Sequence, residues 1–471
     1  MTSAFAALHL TLFVLATIHL LARGDLSAQT RIAWMLAVSL LPIAGLFLYL
    51  LYGEIRFGGR VAEAYVAAEK ATRQMSEESG EPHDPIRQGQ ASALASSFNG
   101  FGTTQGNRAE LLDSPHAQRE RLIADIDAAT RTIHVFYYIW LDDRTGRGVA
   151  EALIRAAQRG VRVRAGIDKV GSFDFLLSDT WRQMKEAGVE TSVALPVYNV
   201  LVSIYTHRPD LRNHRKITVI DGSICHCGSQ NCADPEFSPK PSYAPWVDIM
   251  IRFEGPVARQ MDLLFAQTWF EDKPLDLGDW QYETTPLEGS LVAQVVGTGP
   301  TTAKGLTAQL IARIVGEARR EVMITTPYFA PGEVVANAIA AAAMAGIEVT
   351  LNVPARNDSG LVGPACRSYY PRLLLAGVRI FEHKGGLLHS KILTVDGETT
   401  FLGATNLDVR ILDLNFENNI LLHDPGLTED IRQRQLDYIA DSDAVDARKV
   451  AQWPFWKRIH YNIFTAIEPF I

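Results

Sequence analysis

Two stretches of the chain repeat one another. Residues 214–231 read His-Arg-Lys-Ile-Thr-Val-Ile-Asp-Gly-Ser-Ile-Cys-His-Cys-Gly-Ser-Gln-Asn, and residues 389–406 read His-Ser-Lys-Ile-Leu-Thr-Val-Asp-Gly-Glu-Thr-Thr-Phe-Leu-Gly-Ala-Thr-Asn. In both, His, Lys, Asp, Gly, Gly and Asn stand at the same offsets. A single His-x-Lys-x4-Asp match is weak evidence, but two that also agree downstream indicate a duplicated unit. We therefore expect two similar halves, each built around one of these stretches.

The repeat extends outward from the two stretches. Each is preceded by a β-rich run, a run with helical periodicity and a second β-rich run, at 132–139, 146–159 and 161–168 and again at 321–328, 333–345 and 347–353. Strand, helix and strand in succession predict a βαβ unit and a largely parallel, buried sheet. Residues 274–290, rich in Pro, Gly and acidic residues, form the expected joint. We predict an α/β fold with one domain over 101–274 and a second over 275–471, packed with pseudo-twofold symmetry.

The N-terminal region differs from the rest in hydropathy. Residues 4–22 and 32–52 are almost wholly apolar, and each approaches the roughly 20 residues that a helix needs to cross a bilayer. Because a short turn joins them, 1–56 is predicted to be a transmembrane hairpin. Basic residues after the second run favour a cytoplasmic location for the large domains. Residues 57–100 are predicted to be a linker, helical over 61–74 and mobile over 76–100, with the folded part beginning near Phe101.

Composition narrows the class of protein. The 471 residues carry a formal net charge of −8, so the chain lacks the global basic field that marks many nucleic-acid binders. Four Cys residues do not make a disulfide framework, and they indicate a reducing compartment. Cys225, His226 and Cys227 resemble part of a metal site. The two thiols would lie on one face of a strand and the imidazole on the other, which disfavours a shared ion.

The repeated His and Lys residues predict an active site. In a strand, His214 and Lys216 point to the same side, and so do His389 and Lys391. A pseudo-twofold axis brings both pairs into one pocket with two imidazoles and two ammonium groups, which suits a phosphodiester. One His attacks phosphorus and forms a phosphohistidine, while the other protonates the leaving alkoxide. Lys and Asn side chains offset charge on the phosphate oxygens, and this arrangement requires no metal or other cofactor.

Two acidic residues are expected to orient the histidines. A nucleophilic His needs an acceptor for the hydrogen on its far nitrogen. Asp248 and Glu417 occupy matching positions in the two halves, each at the start of an apolar, strand-like run. We assign Asp248 to His214 and Glu417 to His389.

The Asp residue of each repeated stretch has a different expected place. Asp221 and Asp396 are candidate catalytic residues by their position in the motif. Each of them is followed by Gly, which is a turn signal. We expect both to brace the turn after the catalytic strand rather than to contact substrate.

The paired His-x-Lys-x4-Asp stretches, each with Gly-x-x-Asn trailing, resemble the phospholipase D superfamily. Closer details are similar to the bacterial cardiolipin synthases, among them Leu211-Arg-Asn-His-Arg-Lys-Ile217, Phe253-Glu-Gly-Pro256, Arg367-Ser-Tyr-Tyr370 and Asn415-Phe-Glu417. The resemblance implies two tandem phospholipase D-like domains behind a multi-pass anchor in the bacterial inner (cytoplasmic) membrane. It also implies transfer of a phosphatidyl group from one phosphatidylglycerol to the glycerol hydroxyl of another, which releases glycerol and gives cardiolipin.

The family pattern carries over to particular positions of this chain. It implies the catalytic residues His214, Lys216, Asp221, His389, Lys391 and Asp396, and the substrate-binding residues Ser229, Asn231 and Asn406. The expected partners are phosphatidylglycerol and membrane lipid, with no cofactor and no nucleic acid. The oligomeric state is left open.

Two positions depart from the family pattern. Ala404 stands where the first copy has Ser229, so a hydroxyl expected beside the phosphate is missing, and Ile411 stands where Ser is usual. Both departures lie in the second half, which fits His214 as nucleophile and His389 as acid. They also leave the acceptor open. The alternatives are hydrolysis to phosphatidic acid, transfer to another alcohol, and a membrane-anchored nuclease.

Two apolar segments have two interpretations each. Residues 195–205 belong to a connection that is longer in the first half, and they are either ordinary core or a lipid-facing lip of the site. Residues 453–464 combine aromatic and basic side chains. They are either an interfacial membrane element or a helix that closes the second domain.

Overall fold

The computed structural model describes residues 2–41, 43–53, 59–78, 89–195, 208, 210–270, 273–282 and 284–466. Five helices precede the first strand: α1 (Thr2–Ala22), α2 (Ala28–Leu40), α3 (Ala44–Tyr52), α4 (Gly59–Glu78) and α5 (Gln90–Asn99). The first apolar run is thus one helix, whereas the second run is divided between α2 and α3. Among the residues that the structure describes, no helix combines the length and hydropathy that crossing a bilayer requires.

The helix predicted over 61–74 is confirmed by α4, whereas the mobile linker predicted over 76–100 is wrong for the part that contains α5. Helix α5 buries Ala91, Ala95 and Phe98 against the core of the second half. These residues recur at the i, i+4 and i+7 spacing of an amphipathic helix, a signal that the Ser-rich composition concealed. Helix α4 buries Tyr65 and Ala68. The folded part therefore begins well before Phe101, and residues 79–88 lie outside the described residues.

The first half contains eight strands, five helices and two short 3-10 turns among the described residues. The strands are β1 (Thr104–Leu111), β2 (Thr132–Tyr137), β3 (Arg162–Asp168), β4 (Glu190–Ala194), β5 (Lys216–Ile220), β6 (Ile224–Gly228), β7 (Trp246–Val247) and β8 (Met250–Glu254). The helices are α6 (Pro115–Ala128), α7 (Arg144–Gln158), α8 (Phe173–Leu176), α9 (Asp179–Glu186) and α10 (Pro256–Trp269), with 3-10 turns at Pro241–Tyr243 and Gly278–Trp280. The predicted strand, helix and strand order is confirmed by β2, α7 and β3.

The second half repeats this order with local additions. Its strands are β9 (Leu291–Thr298), β10 (Glu321–Thr325), β11 (Phe329–Ala330), β12 (Glu348–Pro354), β13 (Arg379–His383), β14 (Leu387–Leu388), β15 (Ile392–Val395), β16 (Thr399–Gly403), β17 (Leu407–Asp408), β18 (Glu417–His423) and β19 (Ser442–Ala444). Its helices are α11 (Leu306–Gly316), α12 (Gly332–Met344), α13 (Val362–Leu375), α14 (Val409–Leu414), α15 (Pro425–Ala440), α16 (Ala447–Ala451) and α17 (Phe455–Ala466). Here β10, α12 and β12 are the predicted unit.

A single sheet of 15 strands runs through both halves, in the order β19-β13-β12-β10-β15-β16-β18-β9-β1-β8-β6-β5-β2-β3-β4. Strands β1 and β9 pair near the centre of this sheet and join the two halves. The expectation of a largely parallel sheet is wrong. Within the 15-stranded sheet, as far as the described residues show it, only β2–β3–β4 and β10–β12–β13 are parallel, because the strands that carry and follow the His-Lys motifs turn back as antiparallel hairpins.

Short backbone pairings fasten each catalytic segment to the opposite half. Strand β7 pairs in parallel with β14, and the amide of His389 donates to the carbonyl of Val247 at 2.8 Å. In the mirror arrangement, the amide of His214 donates to the carbonyl of Phe416 at 2.9 Å. In both cases the acceptor residue immediately precedes one of the predicted orienting carboxylates.

The C-terminal segment forms α17, and it packs against α13 of the second half. The prediction of a helix that closes the second domain is therefore confirmed. The outer face of α17 exposes Phe455, Trp456, Ile459 and Ile463. The membrane-interface alternative concerns this outer face and stays a prediction.

Candidate active site

Both His-Lys pairs stand at the start of a central strand. Lys216 is the first residue of β5, and Lys391 immediately precedes β15. Each histidine lies two residues earlier, and its backbone carbonyl accepts a hydrogen bond from the Nζ of its own lysine, at 2.9 Å in the first copy and 2.6 Å in the second. All four side chains are buried, and in the first copy Nζ of Lys216 lies 3.2 Å from Nε2 of His214, so these two side chains lie on the same side as predicted.

The carboxylates are exchanged between the halves. Nδ1 of His214 donates to Glu417 Oε2 at 2.9 Å, and Nδ1 of His389 donates to Asp248 Oδ1 at 2.6 Å. The assignment of Asp248 to His214 and of Glu417 to His389 is therefore wrong. Because the residue before each carboxylate pairs with the catalytic backbone of the other half, the carboxylate reaches across the axis.

The two carboxylates differ in their remaining contacts. Ser229 donates its hydroxyl to Asp248 Oδ1 at 2.5 Å and accepts from the Ile249 amide at 3.1 Å. Ser229 is fully buried and supports this carboxylate, and its predicted contact with substrate phosphate stays a prediction. Ala404, at the matching position, has no hydroxyl. Among the described residues, Oε1 of Glu417 has no partner besides the same His214 Nδ1, which lies 2.9 Å from it.

Burial sets the charge of the histidines. It lowers the pKa of both His214 and His389 to about 4, although the carboxylates of Glu417 and Asp248 act in the opposite direction. Both rings are therefore neutral near pH 7 when no substrate is bound. A substrate phosphate adds negative charge beside them and favours their protonated forms.

Burial acts on the lysines and on one carboxylate as well. It lowers the pKa of Lys216 to about 8, and it lowers the pKa of Lys391 well below its ordinary value. Burial opposes ionisation of Asp248, but the charge and hydrogen bond of His389 outweigh it, and the pKa of Asp248 is about 2. Asp248 therefore stays ionised and favours a positive charge on His389.

One cavity of about 430 Å³ contains both histidines. Residues of both halves line it, which is the convergence that the duplicated motif predicted. Asn231 and Asn406 also line the cavity, and their Oδ1 atoms are buried without a hydrogen-bond partner among the described residues. The two amides are thus placed to contact a ligand that the histidines hold.

Aromatic rings cover the two histidines. The ring of Tyr138 lies 4.7 Å from that of His214, and the ring of Trp246 lies 4.4 Å from that of His389. Sequence reasoning missed both. The available signal for Trp246 was its place two residues before Asp248, and Tyr138 is the penultimate residue of the first predicted strand.

Asp221 and Asp396 lie away from the cavity. Asp221 accepts from the amides of Thr130, Arg131 and Thr132 at 2.7–2.9 Å, ahead of β2. Asp396 accepts in the same way from the three residues 319–321 that lead into β10. Both have positive φ and stand in the turn after the catalytic strand, so they brace this turn and are not catalytic.

Further side chains support the site or shape its wall. Asn418 accepts from the Lys216 amide at 2.8 Å and donates to its carbonyl at 3.1 Å, which fixes the start of β5. Ile411, where the family has Ser, lines the cavity and makes that wall apolar. The proposed lip at 195–205 lies outside the described residues, except for Leu195, which is buried.

Other clusters do not compete with this cavity. Over the described ranges, no group of three or more His, Cys, Asp or Glu side chains has the arrangement of a metal site. A larger open cleft of about 790 Å³ lies between β1 and α15, and the described residues that line it include none of the paired His, Lys or Asn side chains.

Known proteins share both the sequence and the fold. Residues 122–269 and 311–436 match the family described as "Cardiolipin synthase, PLD-like domain", and residues 11–54 match "Phospholipase_D-nuclease N-terminal". Cardiolipin synthase A of Edwardsiella ictaluri is 35% identical over 94% of this chain and 93% of that protein. Cardiolipin synthase A of Serratia proteamaculans is 36% identical over the same shares. The crystal structure of phosphatidylserine synthase from Haemophilus influenzae Rd KW20 is 16% identical and has a TM-score of 0.58, over 80% of this chain and 98% of that one, so it shares the fold.

Proposed function

Because the chain belongs to the cardiolipin synthase family and is a phosphatidyltransferase of the phospholipase D superfamily, we propose that it converts two phosphatidylglycerol molecules into cardiolipin and free glycerol. A phosphohistidine is the intermediate. The observation that carries the proposal is the convergence of two crossed His-carboxylate pairs on one cavity. One pair activates a nucleophile, and the other moves the proton.

In the first step His214 is the nucleophile. Its Nδ1 hydrogen is held by Glu417, so the lone pair of the neutral ring is on Nε2, which attacks phosphorus. The P–N bond forms as the P–O bond to the donor glycerol breaks. His389 donates a proton to the departing oxygen, and Asp248 stabilises the imidazolium that precedes this transfer.

In the second step the roles of the proton groups reverse. His389, now neutral, accepts the proton of a glycerol hydroxyl on the second phosphatidylglycerol. The hydroxyl oxygen attacks phosphorus, the P–N bond breaks, and His214 is restored. Lys216, Lys391 and the two cavity Asn side chains stabilise charge on the phosphate oxygens in both steps.

The direct test uses purified protein and phosphatidylglycerol in detergent. We expect cardiolipin and free glycerol in equal amounts, resolved by lipid chromatography and a glycerol assay. Phosphatidic acid as the main product would identify a hydrolase instead. Absence of both cardiolipin and glycerol would overturn the proposal.

We also propose that the N-terminal helices anchor the enzyme in the bacterial inner membrane with the catalytic halves in the cytoplasm. Leu10, Leu15, Ile18 and Leu21 of α1 are each more than half exposed, and a hydrocarbon environment accounts for such a surface. Alkaline extraction of membranes tests the anchor, since a peripheral protein would be released. Protease digestion of intact and inverted vesicles tests the side, because cytoplasmic halves are cut only in inverted ones.

A further inference from the structure

The wall of the cavity that contains both histidines includes a carboxylate, although the histidines and lysines of this site attract anions. Asp358 lines this cavity, and its side chain is 2% exposed. Its Oδ1 accepts from the hydroxyl of Tyr328 at 2.6 Å, and its Oδ2 accepts from Nζ of Lys240 at 2.5 Å. Tyr328 and Lys240 line the same cavity, so the three side chains form one polar wall.

The charge of this wall is opposite to what phosphate requires. A carboxylate repels the phosphate oxygens that the histidines and lysines attract, so Asp358 does not belong to the phosphate subsite. Each carboxylate oxygen accepts one hydrogen bond here and has further acceptor capacity. The wall therefore suits a ligand group that donates hydrogen bonds.

The partners of Asp358 decide which hydrogen-bond donor the wall accepts, an alkylammonium group or a hydroxyl. Lys240 already supplies a cation to this carboxylate, so an alkylammonium headgroup would meet a like charge. A hydroxyl meets no such penalty. The arrangement favours a neutral polyol over an amino alcohol.

The carboxylate of this wall belongs to the second half, whereas Lys240 belongs to the first. Counted from the first residues of β3 and β12, Ser172 of the first half stands at the same offset as Asp358. The hydroxyl of Ser172 is committed to backbone, since it donates to the Tyr138 carbonyl and accepts from the Trp140 amide, both at 2.9 Å. The carboxylate is thus found only in the half that carries His389, the histidine to which the proposed mechanism brings the alcohol.

We propose that Asp358, held by Tyr328 and Lys240, is a specificity-determining residue that binds the hydroxyl groups of a polyol acceptor. This inference rests on the proposed phosphatidyl transfer. It assigns acceptor choice to a site separate from the groups that perform the transfer.

The test separates acceptor choice from the first step. The donor is phosphatidyl-p-nitrophenol in detergent micelles, which has no headgroup hydroxyl, and the competing acceptors are glycerol and 1-propanol, which have the same number of carbons. For Asp358→Asn we expect the ratio of phosphatidylglycerol to phosphatidylpropanol to fall about tenfold or more, since a charged hydrogen-bond acceptor is lost. Release of p-nitrophenol should stay within about threefold of wild type.

Two further variants keep the result interpretable. Tyr328→Phe keeps the shape of the wall and should lower the same ratio by a smaller factor. Asp443→Asn is the matched control, because Asp443 forms an exposed pair with Lys384 in the same half and should leave the ratio unchanged. An unchanged ratio in Asp358→Asn and Tyr328→Phe would overturn the inference alone. If Asp358→Asn instead selectively lost transfer to 3-amino-1-propanol, the inference would be overturned in favour of an ammonium-binding site. Wild-type protein that transfers to neither alcohol would overturn the proposed function as well.

Discussion

The two half-sites of the cavity share the same arrangement of His, Lys and carboxylate, but the two carboxylates differ in the hydrogen bonds that they accept. The carboxylate behind His389 has a second partner, because Ser229 donates to Asp248. The carboxylate behind His214 has none from the matching position, which is Ala404. The more strongly held carboxylate therefore stands behind the histidine of the second half.

This difference matches the two roles that a transfer reaction needs. A nucleophile has to be neutral when it attacks, whereas an acid has to carry a proton beforehand. Asp248 stays ionised to a pKa of about 2, and an ionised partner stabilises an imidazolium at His389. The duplicated motif contains two equivalent histidines. In the proposed mechanism, the difference between the carboxylates behind them gives the two histidines separate roles.

The largest expected effect separates the two histidines by donor. With phosphatidylglycerol, His214→Ala and His389→Ala should each lower turnover by at least about 10³-fold. With the p-nitrophenyl donor, whose leaving group needs little protonation, His389→Ala should recover most of the rate of p-nitrophenol release in the first turnover, which precedes the step that needs His389 as a base. His214→Ala should recover none. Equal loss of both variants with both donors would remove the division of roles.

The crossed pairing predicts which carboxylate controls which histidine. With the p-nitrophenyl donor, kcat/KM should fall below about pH 4, because His214 must be neutral to attack. Glu417 raises the pKa of His214, so Glu417→Gln should move this acid limb to lower pH and lower the plateau by about 10²-fold. Asp248→Asn should leave the limb in place.

The pH profile also contains the control for this experiment. Above about pH 8, Lys216 loses its charge and kcat/KM should fall again in the wild type, and because Glu417 and Asp248 both raise the pKa of Lys216, this basic limb should move to lower pH in either carboxylate variant. An acid limb that moves in Asp248→Asn and stays in Glu417→Gln would show that the pairing runs within each half.

The sequence predicted the duplicated strand order and the meeting of both motifs, because each rests on repeated residues at fixed offsets. It did not predict the crossed carboxylates. Asp248 follows the two-residue strand β7, and Glu417 follows a single bridge residue, Phe416. Which histidine each carboxylate contacts depends on whether this short backbone pairing is made with the same half or with the other half. Symmetry alone is satisfied equally by pairing within or between the halves.

The predictions of a largely parallel sheet and of a linker in the region of α5 were wrong for other reasons. A βαβ unit predicts parallel pairing only for the two strands that its helix joins. The antiparallel hairpin β5–β6 lies within residues 214–231, a stretch that we interpreted for its catalytic motif and not for its strand direction. The sequence of α5 is short and rich in Ser, so composition favoured a linker. Its buried Ala and Phe positions depend on a core that only the assembled second half provides.

A smaller effect tests the unequal second partner. Ser229→Ala removes the donor to Asp248 and should slow turnover of phosphatidylglycerol by about tenfold, because a hydrogen bond to a charged group is lost. Release of p-nitrophenol from the activated donor should hardly change, since it needs no acid. Ala404→Ser adds the missing hydroxyl beside Glu417 and should change either rate by less than about threefold. A larger effect in Ala404→Ser than in Ser229→Ala would reverse the comparison.

The smallest effect concerns the middle residue of each His-x-Lys triplet. Arg215 donates to the Tyr65 hydroxyl of α4 at 2.7 Å, whereas Ser390 donates to the Tyr438 hydroxyl at 3.2 Å. Tyr65→Phe leaves a buried guanidinium N–H without this acceptor and should lower the free energy of unfolding by about 1–2 kcal/mol.

Tyr438→Phe is the matched control for this change, because it removes a hydroxyl that contacts the middle residue of the other copy. It should cost less than Tyr65→Phe in thermal unfolding, since Ser390 is neutral and the other partner of the Tyr438 hydroxyl, Arg434, is less buried than Arg215. Release of p-nitrophenol should stay within about threefold in both variants, because neither hydroxyl contacts a catalytic histidine. Equal destabilisation would mean that Arg215 adds nothing beyond ordinary packing. A greater loss in Tyr65→Phe would show that the first motif, unlike the second, depends on a helix that leads back to the N-terminal helices.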